Sequence, residues 1–235
     1  MQRFYIENFT FFKSLNITDV DLLNQMQKVL RFRAWDKFIV FDWNTSEDYI
    51  YLVKEINKKN ILSEFIEKVN KKDEASFINL YVSMPNKLDK IEMILQKWTE
   101  IWVKSFSFFY SERSQKLHLS ENKITRLSKI IKEAVEQSWR NIVPSLNFYD
   151  TIPDISNGIF FHTQNENSKW IFDVEMSWDL SLIIWPEWWF TNWEITSFEA
   201  SNFQRVHLWN NILRCETCAI ATSFFLHQAK IKDLN

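Results

Sequence analysis

The chain has 235 residues, 46% hydrophobic and 25% charged, with a formal net charge of −2. That composition suits a globular protein with a sizeable core and excludes a disordered chain or a uniformly basic nucleic-acid coat, while leaving room for a local basic patch. No run approaches the ~18 apolar residues needed to span a bilayer, and the start, MQRFYIENFTFFKSLN, lacks the apolar stretch of an export signal, so the expectation is a cytosolic protein without a membrane partner.

In chain order, RFYI, KFIVFD, DYIYLVKEI and ILSEFIEKV read as strands, and DVDLLNQMQKVLR as a helix among them. Together they predict a small β-rich module. NKKDEAS, residues 70–76, is a charged connector, and it sets the expected domains at residues 1–72 and 73–235. Beyond it FINLYVSM reads as a buried strand, PNKLDKIEMILQKWTEI as an amphipathic helix begun by Pro85, and VKSFSFF as another strand. ENKITRLSKIIKEAVEQS keeps Ile124, Leu127, Ile131, Ala134 and Val135 on one helical face. LSLII, a helix from about Thr191, RVHLW and a helix from about Glu216 to Gln228 complete the chain. Alternating strands and helices predict an α/β domain with a largely parallel sheet. Ligands of such sheets bind beyond the carboxyl ends of the strands, where LSLII runs into WPEWWF and RVHLW into NNILRCET.

Those two loops are chemically odd. The segment IIWPEWWFTNWEI has four tryptophans where a sharp turn calls for small residues, and the chain carries 12 Trp against 1 Gly. Average usage of roughly 7% would give about 16 Gly, so the excess of one residue nearly matches the deficit of the other. The positions agree: Trp35, Trp43, Trp178 and Trp209 each precede Asp or Asn beside an apolar run, as glycine does in turns. Trp102 follows the periodic run from Leu88 to Ile101, where a helix closes with glycine in the left-handed conformation. The pattern points to UGA codons read as tryptophan in a lineage that decodes them as glycine, with a tryptophan-rich protein of unusual turns as the competing reading. Cys215 and Cys218 form a lone CETC one helical turn apart. Without two further ligands at suitable spacing they read as small packing residues, and no metal is expected.

With glycine in place of tryptophan the loops become IIGPEGGFTNGEI and LGNNILRCET, and they then resemble the signature loops of the 16S rRNA (uracil-N3)-methyltransferase family, RsmE, of the SPOUT superfamily. MQRFY, VLRFRAWD with FDWN, QKWTEIWV, SERS and EAVEQSWRNIVP resemble further segments of that family in the same order, over nearly the whole chain. Trp35, Trp43, Trp102, Trp139, Trp185, Trp188, Trp189 and Trp209 fall on family glycines. Trp178 and Trp193 fall where glycine is acceptable, and Trp98 and Trp170 carry no expectation.

The resemblance implies an N-terminal PUA-like β-barrel that holds RNA and a C-terminal SPOUT domain with a trefoil knot, acting as a homodimer on the small ribosomal subunit with S-adenosylmethionine as cofactor. By position it assigns the cofactor to Phe161, His162, Ile184, Trp185, Pro186, Glu187, Trp188, Trp189, Leu208, Trp209, Ile212, Leu213 and Thr217. For Ile184, Leu208 and Leu213, plain core packing is the competing reading. The arginines in family segments, Arg3, Arg31, Arg113, Arg126 and Arg140, together with Lys97, are assigned to RNA. Methylating N3 of uracil requires loss of its proton and stabilisation of the resulting anion. Arg140, Arg113 and Glu187 are the candidates for that work, and the general base stays unassigned. Two other classes compete: a non-catalytic RNA-binding protein on the same fold, and a SPOUT enzyme acting on tRNA or 23S rRNA.

Overall fold

The computed structural model describes residues 1–42, 47–70, 78–161, 168–174, 179–185, 189–208 and 213–234, the last four by their backbone. These fall into two compact units: residues 1–74 with 135–142, and residues 75–134 with 143–235.

The first unit is a five-stranded sheet built from β1 (Gln2–Tyr5), β2 (Ser14–Ile17), β3 (Lys37–Phe41), β4 (Glu47–Ile56) and β5 (Ile61–Asn70) in the order β1-β3-β4-β5-β2. β1 runs parallel to β3 and the remaining pairs are antiparallel. Alternating apolar residues from these strands bury Phe4, Phe38, Tyr51, Val53 and Ile61 with Met26. Met26 arrives from a helix, α1 (Val20–Asn24), capped by the Asp19 carboxylate on the Leu22 amide and continued as a π-helical turn over Gln25–Val29.

The second unit carries a seven-stranded sheet in which every pairing is parallel. Its strands are β6 (Ile78–Ser83), β7 (Ser105–Phe109), β8 (Ser145–Tyr149), β9 (Gly158–Phe161), β10 (Lys169–Trp170), β11 (Leu180–Ile184) and β12 (Phe203–His207), in the order β10-β12-β9-β11-β6-β7-β8. β9 and β11 are buried at every position, as continuous apolar runs in the middle of a parallel sheet should be. Gly158 is the single glycine, and a Cβ there would collide with the Ser181 carbonyl and come within 2.6 Å of the Phe203 ring. The helices are α2 (Leu88–Glu100), α3 (Glu121–Gln137), α4 (Asn192–Ala200) and α5 (Cys215–Leu234). Pro85 does not begin α2: Lys87 is its extended N-cap, and the helix starts at Leu88, three residues after the expected start at a proline. On α3, Leu127, Ile131, Ala134 and Val135 are buried as the periodicity predicts, but Ile124, in the first turn, is exposed.

Left-handed backbone marks the tryptophans apart. Trp35, Trp102, Trp139 and Trp189 have φ of 76°, 66°, 62° and 63°. After α2, the amides of Trp102 and Val103 donate back to the carbonyls of Thr99 and Trp98 at 3.3 and 3.2 Å. After α3, the Arg140 amide returns to the Val135 carbonyl at 3.2 Å across Trp139. Both helices thus close in the Schellman manner, with tryptophan at the position that glycine normally takes. Trp35 is the third residue of a turn closed by Asp36 N–H to the Arg33 carbonyl, where positive φ again favours glycine. Of the five described tryptophans on family glycines, only Trp185 lacks positive φ, and none of Trp98, Trp170 and Trp193 has it. Trp98 is wholly buried on α2.

Candidate active site

β11 ends at Ile184, which is fully buried in the sheet, and delivers Trp185 at its carboxyl end. The Trp185 ring meets Phe161, the last residue of β9, at 6.2 Å, and stacks on Trp189 with centroids 4.8 Å apart and planes 18° apart. Trp185, Trp189 and Leu213 line one cavity of about 320 Å3 with Lys90, Arg214, Cys215 and Glu216. Residues flanking the segments after β11 and β12 therefore come together beyond the carboxyl end of β11. Of the other residues assigned to the cofactor, Leu208 is half-buried at the end of β12 and Thr217 is exposed on α5. His162, Pro186, Glu187, Trp188, Trp209 and Ile212 lie outside the described residues. Lys90 was not anticipated; a lysine in the first turns of an amphipathic helix looks in sequence like any solvated charge.

The SERS segment follows β7. The hydroxyls of Ser83, Ser111 and Ser114 form a triangle with all three separations 2.7 Å, and the Ser111 amide donates to Ser114 Oγ at 3.0 Å. The Glu112 amide donates to Glu194 Oε1 at 2.9 Å. The other carboxylate oxygen of Glu194 accepts from the Thr191 amide at 2.7 Å in the capping box that starts α4. Two cavities, of about 660 and 740 Å3, share Tyr110, Ser111, Glu112 and Asp150 in their linings. Arg113, next to Glu112, is exposed.

The basic residues divide. Arg31, Lys97, Arg113 and Arg126 are exposed, with Lys97 on Glu100 at 3.1 Å and Arg126 on Glu92 at 2.9 Å. Arg3 is not an RNA contact: it is 3% exposed, lies over the Phe41 ring at 3.5 Å, and forms a 2.7 Å ion pair with buried Asp48. Its remaining donors go to the Arg140 carbonyl and Asn141 Oδ1. Arg140 is 0% exposed, so its guanidinium is not presented at the surface, and its backbone carbonyl accepts from Arg3.

Residues 72–227 match the family model described as an RNA methyltransferase domain. The chain belongs to this family. Across 232 residues it is 28% identical to the ribosomal RNA small subunit methyltransferase E 2 of Borreliella burgdorferi, covering 93% of each chain. Identity to the ribosomal RNA small subunit methyltransferase E of Mesomycoplasma hyopneumoniae is 29% over 244 residues, 99% of this chain and 100% of the relative. The fold is similar to that of the Neisseria gonorrhoeae ribosomal RNA small subunit methyltransferase E bound to S-adenosyl methionine, with a TM-score of 0.83, 24% identity and coverage of 97% and 98%. The described residues that flank the two segments, Trp185, Trp189 and Leu213, thus line one cavity.

Proposed function

We propose that this protein transfers a methyl group from S-adenosylmethionine to N3 of one uracil in 16S rRNA of the small ribosomal subunit, as a cytoplasmic homodimer with a knotted catalytic domain and a PUA-like barrel that grips RNA. The observation that carries the reading is the cavity lined by Trp185, Trp189 and Leu213 at the ends of β11 and β12, in a chain that is similar along nearly all its length to small-subunit rRNA methyltransferases. When bound, the cofactor supplies an electrophilic methyl group. The chain itself must bind the uracil, favour its N3 anion and keep it in line with that methyl. Exposed Arg113 is the candidate to hold negative charge, on the base edge or on a flanking phosphate. Transfer of one labelled methyl group to purified small-subunit RNA, mapped by mass spectrometry, tests the proposal; a methyl on carbon 5, on a ribose oxygen or on tRNA overturns it.

The lining of this cavity fits a cofactor poorly, because the stacked indoles of Trp185 and Trp189 take up part of it. We infer that the functional polypeptide carries glycine at Trp35, Trp102, Trp139 and Trp189, supported by their positive φ, and at Trp185, supported by its position in the cavity. The coding sequence should then read UGA at these codons, and native peptides should have the mass of glycine. UGG at Trp185, Trp188 and Trp189 would end the idea.

A further inference from the structure

We infer that Glu194 is a positioning residue: its carboxylate ties the loop at residues 111–114 to the first turn of α4 and thereby fixes where Arg113 presents its charge. This rests on the reading of that loop as an RNA contact. A carboxylate in a capping box ordinarily serves its own helix, reaching back to the N-cap amide. Glu194 does this with Oε2, which accepts from the Thr191 amide at 2.7 Å and the Thr191 hydroxyl at 3.1 Å. Its Oε1 does something different, taking the Glu112 amide at 2.9 Å from a segment 82 residues away. The side chain is 1% exposed, so these donors replace the water a carboxylate would otherwise hold. Bonds to an ionised acceptor are stronger and more directional than those between neutral groups.

The neighbouring contacts leave the loop little freedom. Ser114 on the far side of Arg113 is held by the Ser83 and Ser111 hydroxyls, and Glu112 on the near side is held by Glu194. Arg113 is thus bracketed by two fixed residues while remaining exposed. Thr191 comes two residues after Trp189, and Phe190 between them lies parallel to Phe109 at the end of β7. One carboxylate therefore connects the segment leaving the proposed cofactor loop with the segment proposed to meet RNA.

The alternative is that Glu194 only stabilises α4, and RNA binding by the full-length chain separates the two. The probe is small-subunit ribosomal RNA, titrated over a range of salt concentrations. Arg113→Ala should weaken binding and lower the salt slope by about one, as loss of a phosphate contact does. Glu194→Gln cannot satisfy both amide donors at once, and should weaken binding on the order of tenfold with the same change in slope. Added to Arg113→Ala it should cost less than about twofold more, because both act through one contact. Glu194→Asp, which keeps the charge but withdraws it from Glu112, should repeat the loss. Thr191→Ala removes the hydroxyl cap but leaves Oε1 on Glu112, so it should lower Tm without altering the slope. Additive effects of Glu194→Gln and Arg113→Ala, tighter binding by Glu194→Gln, or a slope change in Thr191→Ala would each overturn the inference. An unaffected Arg113→Ala would overturn the RNA-contact reading itself and this inference with it, an outcome distinct from additivity.

Discussion

An L-residue at positive φ drives its Cβ against the neighbouring carbonyl and loses roughly 1–2 kcal/mol at each such position. Trp139, at φ 62° and 44% exposed, has limited packing to offset that strain. Trp139→Gly is therefore expected to be more stable than Trp139→Ala by about 1 kcal/mol, although glycine is otherwise the costlier residue. Denaturant unfolding of the two variants checks this, and an alanine variant as stable as the glycine one would show that the left-handed turn is not what the position selects. Arg3 presents the opposite case of a residue committed to one partner set. Removing it leaves Asp48 buried without its cation. Arg3→Met should cost about 3–5 kcal/mol, whereas Arg3→Met with Asp48→Leu should recover most of that loss, since an apolar pair can replace a buried ion pair. Equal unfolding midpoints for the two would refute the structural role of the pair.

Among the elements, the two loops at the carboxyl edge are the ones proposed to hold the cofactor. Restoring Trp185→Gly, Trp188→Gly, Trp189→Gly and Trp209→Gly together should raise S-adenosylmethionine affinity, because close-packed loops pay about 1–3 kcal/mol even for added methylenes and an indole is far larger. Calorimetric titration of both chains measures it, and equal affinity would remove these loops from the cofactor site. At the start of α5, burial pushes the Cys218 thiol up to about 12. A thiol with that value stays protonated through neutral pH and becomes a nucleophile only above it, so Cys218 should resist alkylation at pH 8 until the protein unfolds. Rapid native labelling would contradict the packing role. The parallel sheet was legible in the sequence because β6, β7 and β11 are near-continuous apolar runs, and the ligand edge followed from where those runs end. β2 and β8 were not, since Ser14, Asn16, Ser145 and Asn147 break the apolar pattern, and β10 has only two residues. The Thr191–Glu194 spacing encodes the capping box, but the bond from the Glu112 amide to Glu194 and the place of Lys90 at the cavity depend on tertiary structure that no local spacing encodes. The burial of Arg3 and Arg140 was hidden for the same reason: an arginine in a family segment looks identical whether it faces RNA or a buried partner.

At the scale of the whole molecule, the unit that holds the first sheet is not a continuous piece of chain, because residues 135–142 belong to it. They supply the Arg140 carbonyl and Asn141 side chain to Arg3, and the Glu136 carboxylate to the Tyr5 amide at 2.8 Å. A fragment of residues 1–74 should therefore unfold at markedly lower denaturant than the same sheet within the full chain, and a peptide of residues 135–142 added in excess should stabilise it. Unchanged stability of the fragment would make the segment an accessory. The arrangement also imposes an order on biosynthesis. Residues 75–134 must be made before the last piece of the first sheet is available. At elongation rates of about 5–20 residues per second, making residues 75–134 alone takes roughly 3–12 seconds, during which Arg3 and Asp48 wait on the nascent chain with one side of their site still open to water.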